Sequence, residues 1–368
     1  MRHLDFDTLH LFSVESLKKA GVPEKDAEII ADVLLEADKL GIDSHGINRL
    51  KPIYLDRIKA GIVNPVTKVD ILRESPTTAL LDANNGMGHV VSKQAMQMAI
   101  DKAKKFGMGM VAVRNSSHYG IAGYYGLMAA REGMIGLTGT NARPSIAPTF
   151  GVENMLGTNP LTFVIPTDEE FPFFLDCATS VSQRGKFEYY AKVGKDLPKG
   201  WCIDREGNSK TNSVEVLEDL VKGRAALAPL GGIGEETAGY KGYGYATVVE
   251  ILSSALQCGG YMKALTGLDE NGNKKPYRLG HFFIAINVET FQDLDVFKKN
   301  AGNLLRDLRN SQKMPGHDRI YTAGEKEYEN FLKRRENGVP IPDSLWEEMI
   351  GVTKDYKLDK FYKLFGLE

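Results

Sequence analysis

Apolar residues recur at helical spacing through the first seventy positions, and the period then changes. Leu9, Phe12 and Leu17 fall near one face, with Asp7 as a candidate N-cap and Gly21 as a stop. After Pro23 the stripe resumes at Ile30, Val33, Leu34 and Ala37 and ends at Gly41. Ser44 can cap a third helix carrying Ile47, Leu50, Tyr54 and Ile58. From about Val66 strands alternate with helices: strands over 68–72 and 78–81, a helix through Ala95 and Ala99 to Phe106, and a strand over 108–113. A small-residue helix over 121–130 stops at Gly133, and strands follow over 134–140, over 161–165 and from Phe173. Residues 194–236 are rich in glycine, proline and charge, with Trp201 and Cys202 in the middle, and 229–234 is a mobile-loop candidate. A helix over 246–256, a core strand over 281–288 and helices over 294–308, 325–335 and 344–356 complete the chain. The pattern predicts an α/β protein of α+β character. One lobe is helical, built from both chain ends (1–70 plus 293–368), and the other is strand-rich (71–292).

Composition narrows the class. At 368 residues the chain is too long for one simple core, and a formal charge of -2 gives no reason to expect nucleic acid or an anionic membrane surface. No apolar run approaches membrane-spanning length, and the start is unlike a signal peptide. Cys177, Cys202 and Cys258 are odd in number and far apart, which fits a reducing compartment and predicts a cytoplasmic protein.

Two histidine segments carry the candidate chemistry. His118 lies in Asn115-Ser116-Ser117-His118-Tyr119-Gly120, on a strand-to-helix loop of the kind that holds ligands in α/β proteins. His45 and Arg49, four apart behind Ser44, would share a helix face near an N-terminus that favours anions. An imidazole beside a guanidinium suits a small carboxylate with a reactive neighbouring carbon. Asp176, at a strand end, reads equally as an N-cap and as a catalytic group. Glycines around Lys241, in Gly239-Tyr240-Lys241-Gly242-Tyr243-Gly244, could receive phosphate, but their spacing fits neither a Walker loop nor a Rossmann fingerprint. A metal-dependent hydrolase or lyase using His45, His118 and Asp43 or Asp176 is a competing class, weakened by the lack of a ligand-like spacing. A catalytically silent binding protein is another. His281, in a core strand, reads as structural.

The segments Asp43-Ser44-His45-Gly46 with Arg49-Leu50, Ser116-Ser117-His118-Tyr119-Gly120, Gly157-Thr158-Asn159-Pro160, Asp176-Cys177-Ala178-Thr179-Ser180, Gly185-Lys186 and Lys241-Gly242-Tyr243-Gly244 occur in this order. Together they resemble the type-2 malate/L-lactate dehydrogenase family, which includes sulfolactate and ureidoglycolate dehydrogenases and some imino-acid reductases. The resemblance implies hydride transfer between a small 2-hydroxy or 2-oxo acid, malate-like first, and a nicotinamide cofactor, NAD with NADP left open. It implies a non-Rossmann, mixed-sheet cofactor lobe over 71–292 and a homodimer. By position, His118 and His45 match the catalytic pair, and Ser44 and Arg49 the substrate contacts. Thr140, Asn141, Asp176, Cys177, Ala178, Thr179, Ser180, Lys186, Lys241 and Gly242 match the cofactor side, and no metal is implied. Which histidine moves the proton stays open, with His118 favoured. His317 departs from the family pattern, which has Glu there, and so does Tyr245, where an aliphatic residue is common.

Overall fold

The computed structural model describes residues 2–367. The strands are β1 (Arg2–Leu4), β2 (Asp70–Glu74), β3 (Thr78–Asp82), β4 (Met108–Ser116), β5 (Met134–Thr140), β6 (Leu161–Ile165), β7 (Phe173–Cys177), β8 (Cys202–Ile203), β9 (Ala226–Leu227), β10 (Leu279–Asn287) and β11 (Val339–Ile341). The helices are α1 (Phe6–Lys19), α2 (Glu24–Lys39), α3 (Asp56–Lys59), α4 (Gly88–Phe106), α5 (Gly123–Arg131), α6 (Arg184–Lys192), α7 (Ser213–Val221), α8 (Gly239–Ser253), α9 (Leu294–Asn310), α10 (Glu325–Asn337), α11 (Asp343–Asp355) and α12 (Tyr362–Phe365).

Seven strands form one mixed sheet in the order β2-β3-β4-β10-β5-β6-β7, in which β3 and β4 make the sole parallel pair. This is not the parallel, doubly wound sheet of a Rossmann domain. The late strand β10 enters between β4 and β5, so His281 lies opposite Val113 on one side and Thr140 on the other. Val111, Val113, Phe283 and Ala285 face α4 and α5 across a buried core completed by Ala95, Ala99 and Tyr125. Small residues on α4 let the helix settle close to the pleated surface.

The chain ends meet in a second core. Leu9, Phe12, Leu17, Ile30 and Leu34 pack with Val339, Ile341, Val352 and Phe361. Phe12 lies edge-on to Phe361, with ring centroids 5.1 Å apart, and β1 pairs with β11. Fully burying a residue such as Phe12 stabilises by about 1.5–3 kcal/mol, so this contact ties the termini firmly. Arg306 and Arg309 on α9 ion-pair with Glu169, in the turn after β6.

Two local expectations need correction. Asp5, not Asp7, caps α1: its carboxylate accepts the Thr8 N–H at 2.7 Å and the Thr8 hydroxyl at 2.8 Å, while Asp7 lies in the first turn. Ser44 caps no helix. Residues 47–49 make a 3-10 turn and Leu50–Leu55 a π-helical turn before α3 begins. Residues 194–236 also carry short elements: α7, β8 and β9 bury Cys202, Val216 and Leu227 with Phe187 of α6 in a small core of their own. Elements this short, with charged faces, give too few repeats for periodicity to register.

Candidate active site

Both histidine segments come to one place. The rings of His45 and His118 stack with centroids 5.7 Å apart and planes 19° from parallel. His118 is near the start of the loop between β4 and α5, and that loop packs tightly on the start of α4. The Ser117 hydroxyl accepts the Gly88 N–H and donates to the Gly86 carbonyl, both at 2.9 Å. A Cβ at position 88 would lie 2.3 Å from the Ser117 carbonyl oxygen, so only glycine admits this approach.

The unwound turn before α3 supplies the partner that sequence reasoning missed. Tyr54 Oη lies 2.7 Å from His118 Nδ1 and 3.1 Å from Nε2 of the fully buried His89. The Gly120 N–H also donates toward His118 Nδ1, at 3.3 Å. A nitrogen that accepts from an amide carries no proton, which orders the chain: His89 Nε2–H donates to Tyr54, Tyr54 donates to His118 Nδ1, and the neutral His118 keeps its proton on Nε2. π-turns recur at functional sites because the extra residue re-aims a side chain, and here Tyr54 is so placed. In sequence, Tyr54 read as one more member of an apolar stripe, and His89 gave no motif.

Arg49 remains beside His45 although no regular helix joins them: its Nε donates to the Ser44 carbonyl, and the Ser44 hydroxyl lies 2.9 Å from His45 Nδ1. The loop is held from two sides. The Ile47 N–H donates to the buried Asp38 carboxylate at 2.8 Å, and Arg334 of α10 forks onto Asp43 while also donating to the Asp38 carbonyl. Asp38 has no countercharge at hydrogen-bond distance, and burial pushes its pKa up to about 8.

The imidazoles are kept neutral. Burial, reinforced by Arg49, lowers the His45 pKa to about 4, and burial lowers that of His89 to about 3. His118 is held well below the usual histidine value by burial, then by His45, His89, Arg57 and Arg49. Among the described residues no carboxylate is hydrogen-bonded to any of these three rings. His281 is fully buried behind the site: it bonds the hydroxyls of Thr140 at 2.7 Å and Ser116 at 2.8 Å and stacks on Tyr119 with centroids 4.5 Å apart. It is a structural histidine.

The remaining motif residues fall in a second group. Thr140 donates to the Gly280 carbonyl, and Asn141 is fully buried, donating to the Gly260 carbonyl at 3.1 Å and accepting from the Gly280 N–H at 2.8 Å. Asp176 accepts the Gly123 N–H at 2.7 Å and the Thr162 hydroxyl at 2.8 Å, so it anchors the first turn of α5 from the end of β7. Cys177 and Ala178 are half-buried. The Thr179 hydroxyl donates to the Asn159 carbonyl, and its own carbonyl accepts the Leu230 N–H at 2.8 Å. The Ser180 hydroxyl donates to the Ser182 carbonyl at 2.7 Å. Gly242 sits against that same Leu230 segment, where a Cβ would lie 2.1 Å from the carbonyl oxygen. The glycine-lysine run is thus the first turn of α8 rather than a loop before it. Lys186 and Lys241 are exposed, with Trp201 and Tyr240 as aromatic neighbours. Gly185 is the link between the groups: a Cβ there would lie 3.9 Å from Ser44 Cβ, so the start of α6 abuts the histidine site. Tyr245 and His317 are exposed.

A cleft of about 520 Å³, lined by Leu40, Phe171 and Phe174 together with charged residues such as Lys39, Arg131 and Glu170, shares no residue with the histidine cluster. Among the described residues no group of three or more His, Cys, Asp or Glu is arranged to hold a metal ion, and no helix is long and apolar enough to cross a membrane.

Two stacked neutral imidazoles beside a guanidinium bonded through Nε alone can hold a carboxylate and exchange a proton with a neighbouring oxygen. A family model described as malate/L-lactate dehydrogenase matches residues 4–350. The chain belongs to the malate/L-lactate dehydrogenase family. It is 46% identical over 348 residues to a malate dehydrogenase of Pyrococcus horikoshii, covering 95% of this chain and 94% of that one. It is 38% identical to an L-sulfolactate dehydrogenase of Methanocaldococcus jannaschii, with 94% and 95% covered. The crystal structure of malate dehydrogenase from Entamoeba histolytica superposes with a TM-score of 0.93 at 50% identity, covering 97% of this chain and 98% of that one. The protein is an oxidoreductase of the 2-hydroxy acid dehydrogenase type, and its non-Rossmann mixed sheet is the fold of its family.

Proposed function

We propose that the protein interconverts a malate-like 2-hydroxy acid and its 2-oxo acid, with NAD as cofactor, at the His45–His118 site. The observation that carries the reading is the neutral His118, oriented by Tyr54 and stacked on His45 beside Arg49. In reduction, His118 acts as the imidazolium that a bound carboxylate favours: it donates its Nε2 proton to the forming hydroxyl and is left neutral. In oxidation the neutral ring, with its proton shifted to Nδ1 toward Tyr54, takes the hydroxyl proton at Nε2. Arg49 grips the carboxylate with the guanidinium nitrogens that Ser44 leaves free, and Ser44 holds the His45 ring in register.

The residues around α6 and α8 fit a dinucleotide. Neither helix has a side-chain cap at its N-terminus, and Lys186 and Lys241 add exposed positive charge in their first turns. Lys186, Lys241 and the backbone at Gly242 and Thr179–Ser180 would hold the phosphates. Asp176, Cys177 and Ala178 would shape the floor, and Thr140 and Asn141, whose side chains are used internally, would fix the neighbouring turn. When bound, the nicotinamide supplies the hydride acceptor or donor.

A cytoplasmic homodimer is the form we propose. The three cysteines are free, and exposed Val248 and Ile251 on α8 and Leu304 and Leu308 on α9 offer apolar surface for a second copy. The deciding experiment follows nicotinamide absorbance while 2-oxo acids are screened with NADH and with NADPH, alongside thermal melts. Cofactor at about a hundred times its Kd should stabilise the fold by roughly 2.7 kcal/mol. No turnover and no shift with any nicotinamide would overturn the reading.

A further inference from the structure

Arg57 has no place in the scheme above. It follows Tyr54 by three residues, across the junction of the π-turn and α3, so the two side chains leave the same face. Its guanidinium lies 4.4 Å over the Tyr277 ring, in the segment that leads into β10. It is half-buried and, among the described residues, has no carboxylate partner. Arg114, Arg306, Arg309 and Arg334 all hold carboxylates, and the half-buried Arg205 donates to the Val152 and Gly223 carbonyls; among the described residues Arg57 has neither kind of partner. Burial disfavours its charge most, the Tyr277 and Tyr54 hydroxyls favour it, and two more arginines, Arg143 and Arg49, oppose it. Arg143 lies in the loop after β5 and is exposed.

A half-buried cation stacked on an aromatic face, with like charges around it, is costly to keep in the free protein. The cost is offset when an anion arrives. Arg49 is committed to the carboxylate next to the reacting carbon, and its Nε is spent on Ser44. A second cation, on the same side as Tyr54 but one helical turn further on, suits an acidic group at the far end of the substrate.

We propose that Arg57 is the specificity-determining residue of a second anion subsite, which selects 2-hydroxy and 2-oxo acids bearing a second carboxylate or sulfonate over monoacids of lactate type. This rests on the His45–His118 reading of the active site. The guanidinium fork binds the distal acid group, Tyr277 holds its plane, and Arg143 adds attraction at the mouth of the site. The field also reaches the chemistry, since Arg57 is among the charges that oppose protonation of His118, and a bound dianion would remove that opposition.

The test compares oxaloacetate with pyruvate as substrates of the wild type and of Arg57→Gln, with the cofactor Kd measured beside them. The wild type should favour oxaloacetate. Arg57→Gln should lower kcat/KM for oxaloacetate about ten- to a hundredfold, from the loss of charge-assisted bonds, and change pyruvate less than threefold. Equal losses on both substrates, a loss confined to cofactor affinity, or no change would each overturn the assignment. Should Arg57→Gln not fold, inhibition of the wild type decides: succinate should inhibit at least tenfold more strongly than butyrate, and equal inhibition would refute the subsite. A wild type that reduces neither acid would instead strike at the dehydrogenase reading itself, so the two failures are distinguishable.

Discussion

Replacing Tyr54 with phenylalanine tests whether the π-turn has a catalytic purpose. The substitution keeps the ring and removes one oxygen, which lies 2.7 Å from His118 Nδ1 and 3.1 Å from His89 Nε2. His118 would retain only the Gly120 amide at 3.3 Å. His89 would have neither ring nitrogen paired, because its buried Nδ1 already lacks a partner. One newly orphaned buried N–H costs about 1–3 kcal/mol, so Tyr54→Phe should lower the urea midpoint without changing the slope. The catalytic effect is separate. The hydroxyl holds the Nε2–H tautomer of His118, and a neutral hydrogen bond is worth about 0.5–1.5 kcal/mol, so kcat for 2-oxo acid reduction should fall roughly three- to tenfold. KM should change less than twofold, since Tyr54 is a positioning residue. In a His118→Ala background the same substitution should cost nothing more in kcat. A stability loss with kcat unchanged would reduce Tyr54 to packing and refute the ordered His89–Tyr54–His118 chain.

Three further outcomes follow from the geometry. His118→Ala should lower turnover about 10²–10⁴-fold while the cofactor-induced thermal shift is retained, and near-normal turnover would move the proton-transfer role to His45. Arg49→Lys keeps the charge but loses the planar fork, so kcat/KM for the best 2-oxo acid should drop about ten- to a hundredfold with cofactor affinity unchanged; kinetics within twofold of wild type would remove the carboxylate clamp. The folded pKa values of His45, at about 4, and of His89 and His281, at about 3, lie below the unfolded value of 6.5. Their contribution is therefore full above about pH 6.5 and is lost as pH falls toward 4 and below, at about 1.4 kcal/mol per pH unit for each histidine in that window. Urea midpoints that are flat between pH 7 and pH 5 would contradict this.

What the chain revealed in advance divides by range. The strand spans 134–140 and 161–165 coincide with β5 and β6, because period-two patterning and nearby glycine or proline are local signals. His45, Arg49 and His118 were legible by residue type and by motif. The route by which His45 reaches Arg49 was not, since it runs through a side-chain bond to the Ser44 carbonyl in an irregular turn. Tyr54 does pack in the core with Ile47 and Leu50, as its place in the stripe implies, but its second role was not legible, because the hydroxyl finds its partner 64 residues away. The Asp43–Arg334 pair spans 291 residues, and no local pattern encodes such a contact. The length of α8 was underestimated because three glycines in its first turns lower helix propensity, while close packing of Gly242 on Leu230 requires one of them.

The electrostatics of the site set the order in which its parts must act. In the free protein His45 and His118 are neutral, and the charges nearest them are arginines. An imidazolium formed there alone would be opposed from every side, so His118 is a poor base until something negative enters. Among the described residues no carboxylate is hydrogen-bonded to either histidine, and a 2-hydroxy acid brings one. Seating that carboxylate on Arg49 places a negative charge beside the histidine pair and favours the protonated form of His118, which oxidation requires. The same substrate group that gives binding thus raises the basicity of the residue that takes the hydroxyl proton. An alcohol of similar size without the acid group would leave His118 unable to hold a proton. On this argument the acid group acts in turnover as well as in affinity, and its removal should depress kcat together with binding.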